Sequence, residues 1–238
     1  MLKIKNYSLD YVKGKRVIDN LSLNVKEGDI YAFVGRNGAG KTTTIKSIVG
    51  INHITEGDIT LDDVSILKDP VEYKKKIAFI PDNPILYEHL TGIQYLNFIA
   101  DMFDLSYSER EKKIKEYGKK FELYNDLGNL ISSYSHGMKQ KLVLIGAFMH
   151  DPKLYILDEP FVGLDPKASF TLKEELRKKA EEGKIIFFST HVLDVAEKLC
   201  NRIAIIKDGK LIVDGDMDRI IKDKSLEQVF MELVVEDE

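Results

Sequence analysis

Ile30-Tyr31-Ala32-Phe33-Val34-Gly35-Arg36-Asn37-Gly38-Ala39-Gly40-Lys41-Thr42-Thr43 is the stretch that decides how this chain folds. Five apolar residues run without a break and stop at a glycine-rich loop. From Gly35 to Thr42 the loop fits G-x-x-x-x-G-K-[ST], and Ile45, Ile48 and Val49 beyond it are spaced as one face of a helix. An unbroken apolar strand suits a sheet buried on both faces, the usual setting of parallel strands. Glycines let the backbone wrap a phosphate with its N–H groups converging, and the helix start behind them adds positive potential. In that setting Lys41 supplies a point charge for β- and γ-phosphates and Thr42 a hydroxyl for Mg2+.

Four more apolar runs follow outward from this unit: Ile77-Ala78-Phe79-Ile80, Leu154-Tyr155-Ile156-Leu157, Ile185-Ile186-Phe187-Phe188 and Ile203-Ala204-Ile205-Ile206. Helical segments separate them, which predicts an α/β core with a mainly parallel sheet. Upstream, Leu2, Ile4, Leu21, Leu23 and Val25 alternate with polar residues, as half-buried strands do, and predict an N-terminal antiparallel β region. Lys26-Glu27-Gly28-Asp29 turns the chain into the first apolar run, and Asp208-Gly209 signals a two-residue hairpin. Lys74-Lys75-Lys76, followed by Ile77, reads as a solvated approach to a strand.

From Tyr87 to Tyr134 the texture is helical. Ile93, Leu96, Ala100 and Phe103 share one face, Ile114, Tyr117 and Phe121 another, and Ser108 with Glu111 predicts a capping box. Leu226, Val229, Phe230 and Leu233 predict a last amphipathic helix before an acidic tail. The expected organisation is one domain over 1–238, with residues 1–86 and 138–238 as the α/β core and residues 87–137 as a helical subdomain.

Composition narrows the function. The chain has 238 residues, 44% hydrophobic and 31% charged, with a formal charge of −4. That is an ordinary globular balance, and the acidic surplus argues against nucleic acid as the main ligand. A single cysteine, Cys200, rules out an internal disulfide and suits a reducing cytoplasm; with Val195, Ala196 and Leu199 it reads as a packing residue. Met1-Leu2-Lys3-Ile4-Lys5 opens no signal peptide, and no apolar run reaches the roughly 18 residues that cross a bilayer.

Leu154-Tyr155-Ile156-Leu157-Asp158-Glu159 sets two carboxylates at the end of a buried strand, where ligands of open α/β sheets bind. Asp158 is placed to hold Mg2+, through water, and Glu159 to orient and deprotonate an attacking water. Alone, the pair also reads as an acidic loop opening, with Pro160 as a turn residue.

The order of further motifs selects among phosphate-binding families. Guanine-reading N/T-K-x-D is missing. Tyr134-Ser135-His136-Gly137-Met138-Lys139-Gln140 precedes an apolar helix, and Gly163-Leu164-Asp165-Pro166 and Ser189-Thr190-His191 follow the paired carboxylates. That series resembles the ATP-binding cassette (ABC) family from about Tyr11 to His191: phosphate loop, signature, paired carboxylates, D-loop and switch histidine. The resemblance implies a P-loop NTPase (RecA-like) core that uses ATP and Mg2+. It implies that Tyr11 stacks on adenine, that Asn37, Gly38, Ala39, Gly40, Lys41, Thr42 and Thr43 contact the phosphates and metal, and that His191 contacts the γ-phosphate. Ser135 and Gly137 would cap the γ-phosphate held by a second copy, with Asp165 at the seam. Bland readings stand beside these: Tyr11 as a strand-edge tyrosine, Ser135 and Asp165 as helix caps, and His191 as a lone strand-end histidine.

Two departures from the family pattern are visible. The signature's usual Leu-Ser-Gly-Gly-Gln is Tyr134-Ser135-His136-Gly137-Met138, and the glutamine expected after the middle strand is Asp82. A carboxylate at 82 suits Mg2+, a hard ion that prefers oxygen. The expectation is an ATP hydrolase, with Lys41, Glu159 and His191 catalytic and Thr42, Asp82 and Asp158 at the metal. Its setting would be cytoplasmic, on the inner face of the membrane, with a transmembrane permease subunit and a second cassette as partners and no nucleic acid. The signature and Leu86-Tyr87-Glu88-His89-Leu90-Thr91-Gly92 look more like bacterial exporter subunits for drugs, peptides or lipids than importer subunits. The rival is a soluble cassette ATPase of an assembly complex, such as those that serve iron–sulfur cluster building. Translation and DNA-repair cassettes carry a second cassette or a long coiled coil, and this chain has neither.

Overall fold

Along the central strands successive side chains enter two different cores, and that division lays out the architecture. The computed structural model describes residues 1–12 and 14–234, with Val12 by its backbone alone. A six-stranded sheet holds β3 (Ile30–Val34), β6 (Ile77–Ile80), β7 (Leu154–Asp158), β8 (Ile185–Thr190), β9 (Arg202–Lys207) and β10 (Lys210–Asp216) in the order β10-β9-β3-β8-β7-β6. Its strands are parallel except β10, which returns antiparallel to β9. The hairpin expected at Asp208-Gly209 closes this pair, with φ of 49° and 75° at the two turn residues. Positive φ at both positions is what a twist-matched two-residue turn requires.

Tyr31, Phe33, Ile156, Phe187, Ala204 and Ile206 point to one face of this sheet and pack in a single core with a second sheet. That sheet is antiparallel, in the order β2-β1-β4-β5, from β1 (Leu2–Val12), β2 (Lys15–Val25), β4 (Glu56–Leu61) and β5 (Val64–Ser65). Helix α1 (Lys41–Ile48) lies in the same core through Ile45 and Ile48. The residues between, Ile30, Ala32, Val34, Tyr155, Leu157, Ile186 and Phe188, face the opposite core. Burial on both faces is why these strands read as unbroken apolar runs. Each such side chain moved from water stabilises the fold by roughly 1.5–3 kcal/mol.

The second core is roofed by helices. Helix α3 (Gly92–Met102) contributes Leu96 and Ala100, and α4 (Tyr107–Lys120) contributes Ile114 and Tyr117. Helix α5 (His136–Met149) is buried along most of its length, and α6 (Pro166–Glu181), α7 (Leu193–Leu199), α8 (Met217–Ile221) and α9 (Leu226–Val234) complete the layer. Cys200 is buried at the end of α7, as its apolar neighbours suggested. The acidic tail expected beyond α9 lies outside the described residues.

One reading of the sequence needs correction. The capping box of α4 is Ser106 with Glu109, not Ser108 with Glu111. The sequence offers two overlapping S-x-x-E frames, and the earlier one lengthens the helix while Glu111 takes a bond from Tyr107. Lys74 and Lys75 are exposed just ahead of β6, as the sequence suggested, and they form the last turn of α2 (Pro70–Lys75). Cations there offset the partial negative charge of a helix C-terminus.

Candidate functional site

The loop between β3 and α1 is shaped by what its residues cannot do elsewhere. Gly40 takes φ of 109°, and a Cβ there would come within 2.5 Å of Ile18 Cδ1, so only glycine fits. Helices α3, α4, α5 and α6 open on side-chain caps from Thr91, Ser106, Ser135 and Asp165, whereas α1 has none. No side chain caps its first amides, and an anion is the ligand that suits such a helix start. Lys41, buried to 7% exposure, lies back along the loop and donates to the carbonyls of Gly35 at 2.8 Å and Arg36 at 3.2 Å. Burial pulls its pKa down from the usual lysine range, and the nearby Glu159 and Asp158 carboxylates partly restore it.

The strand ends of β7 and β8 bring the remaining groups. Thr42 donates its hydroxyl to Asp158 Oδ1 at 3.3 Å. Glu159 leaves β7 with φ of 47°, a left-handed conformation that costs a residue with a Cβ roughly 1–2 kcal/mol. Its N–H donates to the Ser189 carbonyl at 3.3 Å and to the Ser189 hydroxyl at 3.2 Å. The Glu159 carboxylate then meets His191, whose N–H donates to Oε2 at 3.3 Å and whose Nδ1 lies 2.9 Å from the same oxygen.

These groups surround one cavity of about 390 Å3, lined by Asn37, Gly38, Gly40, Lys41, Thr42, Thr43, Asp82, Glu159, Val162 and His191. Asp158 sits just beneath, 4% exposed. Thr42 and Asp82 line this cavity and Asp158 accepts from Thr42 beneath it, all three carrying the oxygen donors that a hard dication prefers. Among the described residues no three His, Cys, Asp or Glu side chains cluster as a metal cage.

Other residues marked by the sequence stand apart from this cavity. Ala39 is buried on the far side of the loop, where its carbonyl accepts from Gly209 N–H at 3.0 Å. Tyr11 is 56% exposed; its hydroxyl lies 3.3 Å from Thr43 Oγ1 and accepts from Asn52 Nδ2 at 3.4 Å. Ser135 caps α5 by accepting from Met138 N–H at 3.3 Å. Asp165 caps α6 by accepting from Ala168 N–H at 2.8 Å and pairs with Lys141 at 2.7 Å, which holds its carboxyl below the usual range.

The signature and D-loop touch each other within the chain. A Cβ on Gly137 would come 2.9 Å from the Gly163 carbonyl, and one on Gly163 would come 2.5 Å from His136 Cδ2. His136, a departure from the family pattern, thus covers a glycine that leaves room for its ring. Sequence reading passed over Ser189 as a site residue and over Gln140, which is fully buried and donates to the Pro81 carbonyl at 3.3 Å. A larger groove of about 790 Å3 between α3 and α4, lined among others by Asn97, Arg110 and Tyr124, contains no residue singled out for ATP.

The ABC transporter family matches residues 18–162, and with the geometry above this decides the assignment. The chain belongs to the ABC transporter ATP-binding family. It is an ATPase of the cassette type, with the P-loop α/β fold. Among its relatives, the ABC-type transporter ATP-binding protein EcsA of Bacillus subtilis is 34% identical over 242 residues, covering 100% of this chain and 98% of EcsA. The SkfA peptide export ATP-binding protein SkfE of Bacillus subtilis is 36% identical, over 90% of this chain and 88% of SkfE. A solved ATP-binding subunit of an ABC transporter superposes with a TM-score of 0.94 at 34% identity, covering 98% of this chain and 99% of that one. A second, a cassette in a dimeric post-hydrolysis state bound to ADP and Pi, gives 0.82 at 27% identity, covering 91% and 99%. Among the described residues no helix is long and apolar enough to cross a membrane.

Proposed function

We propose that this cassette hydrolyses MgATP as the cytoplasmic engine of an exporter, closing head-to-tail on a second cassette and docking on a transmembrane permease subunit. What supports the reading is one contrast: Lys41, Thr42, Glu159 and His191 converge on a single cavity, while Ser135 and Gly137 stand outside it. A surface that recognises a γ-phosphate but does not reach its own is suited to that of a second copy. Closure of two identical chains would be two-fold and isologous.

In this reading the amides of residues 38–43 and Lys41 hold the phosphates, and Tyr11 stacks on the base. Mg2+, held by Thr42 and Asp158 with Asp82 nearby, supplies charge neutralisation when bound. Glu159 aligns a water and accepts its proton as the water oxygen bonds to the γ-phosphorus. The bond from that phosphorus to the bridging oxygen breaks, leaving ADP and phosphate. His191 holds the Glu159 carboxylate until the γ-phosphate is in place and then turns to it, and Asp165 orders the seam through its cap and Lys141.

The segment 87–137 acts as a helical subdomain in this scheme, and the permease docks where it joins the core. Ile85 is 95% exposed and Tyr87 54%, with Phe98 edge-on to Tyr87 at 5.8 Å, an apolar surface of the kind that marks a partner site. Export is favoured by relatives such as SkfE and the bacitracin transport ATP-binding protein BcrA of Bacillus licheniformis, 36% identical over 92% of this chain.

Glu159→Gln tests the reaction. Loss of a general base costs about a hundredfold or more in turnover, with MgATP binding preserved. Turnover within about threefold of wild type, less than 1 kcal/mol of barrier, would remove Glu159 from the base role.

A further inference from the structure

Ser189 is fully buried near the end of β8, where the apolar run of Ile185 to Phe188 gives way to Ser189 and Thr190. Parallel pairing of β7 with β8 sets Asp158 opposite Ser189. Its hydroxyl has one proton and two close partners: Asp158 Oδ1 at 2.5 Å and the Glu159 N–H at 3.2 Å. An N–H only donates, so the hydroxyl accepts from Glu159 and gives its proton to Asp158. The direction of both bonds is thereby fixed. Asp158 Oδ1 takes a second donor from Thr42, so the carboxylate is held from two sides.

Glu159 needs such a hold. Its left-handed backbone persists only where the surroundings over-determine it, and Ser189 grips its N–H with both carbonyl and hydroxyl. The turn is closed further along by Val162 N–H donating to the Glu159 carbonyl at 3.2 Å. One side chain therefore touches the residue assigned to the metal and the residue assigned to the water.

We propose that Ser189 is a positioning residue for hydrolysis: it fixes the rotation of Asp158 toward the metal and the backbone of Glu159 so that its carboxylate faces the γ-phosphate. The proposal rests on the reading of the cavity as a MgATP site. A serine that merely satisfied the core would affect stability and leave metal affinity alone.

The test uses the full chain with Mn2+ as a spectroscopic probe. Replacing a group that orients a metal ligand typically costs about 10–100-fold in metal affinity or activity. Ser189→Ala should therefore weaken Mn2+ binding in the presence of ATP, seen by paramagnetic resonance, and lower kcat, while KM for ATP stays within about twofold. Ser189→Thr keeps the hydroxyl and should recover most of both losses. If alanine does not fold, Ser189→Cys keeps the volume with a weaker donor and is read the same way.

Unchanged Mn2+ affinity and kcat in Ser189→Ala overturn the proposal, and so does a lowered Tm with Mn2+ affinity intact. Asp158→Asn run in parallel separates the two levels. If Asp158→Asn weakens Mn2+ and Ser189→Ala does not, only the serine's role fails. If neither variant changes Mn2+ binding, the metal site itself is misplaced.

Discussion

The phosphate side of the molecule and its signature edge are built from equally recognisable motifs, yet they end in different states of completion. On the phosphate side, a loop, a helix start and two strand ends meet, and Lys41, Thr42, Glu159 and His191 line one cavity. On the signature edge, Ser135 and Asp165 spend their side chains capping helices of their own chain, and Gly137 and His136 pack on Gly163. The first region is prepared for a ligand within a single chain. The second is an exposed edge whose side chains cap their own helices, and the proposed reading gives it a ligand held by a second chain. Binding and hydrolysis should therefore separate under mutation.

The sharpest separation is expected at Gly137. An added methyl meets the Gly163 carbonyl at 2.9 Å, while alanine is the better helix former by about 1 kcal/mol, so the helix itself is not weakened. Gly137→Ala should lower ATPase activity about tenfold or more, the scale of a lost transition-state contact, with nucleotide affinity of the isolated chain nearly unchanged. Equal losses in binding and hydrolysis would break the distinction between the two regions.

A smaller effect is expected where the base would lie. Base–aromatic stacking is worth about 1–3 kcal/mol, so Tyr11→Ala should weaken ATP binding without weakening inorganic tripolyphosphate, measured by calorimetry. A parallel loss for both ligands would make Tyr11 a structural neighbour of Thr43.

The smallest effect on the fold is expected at Tyr87. At 54% exposure it contributes little to the core, and truncation should leave Tm and ATP binding nearly unchanged while reducing recovery of a membrane partner. A large fall in Tm with the partner retained would return Tyr87 to the fold.

Legibility followed the physics of each region. The five apolar runs became β3, β6, β7, β8 and β9 because burial on both faces leaves an unmistakable sequence trace. Strand β4 went unread: Glu56-Gly57-Asp58-Ile59-Thr60-Leu61 carries only two apolar residues, and its pairing with β1 is set by distant residues. The α4 cap slipped by two positions because Ser106 and Ser108 both precede a glutamate by three.

Among site residues, those fixed by local chemistry, such as the loop glycines, Lys41 and the Asp158-Glu159 pair, stand out without a structure. Ser189 did not, since its importance comes from register across a parallel ladder. The left-handed turn at Glu159 and the contact between His136 and Gly163 are likewise tertiary facts with no local signal.

The central claim is that one chain holds ATP and two are needed to hydrolyse it. The most direct test is the mass of Glu159→Gln by light scattering, with and without MgATP. The account predicts a monomer without nucleotide and a species of twice the mass with MgATP, dispersing when Gly137→Ala is added. A particle that remains monomeric at saturating MgATP, while wild-type turnover per chain stays independent of protein concentration, would contradict it.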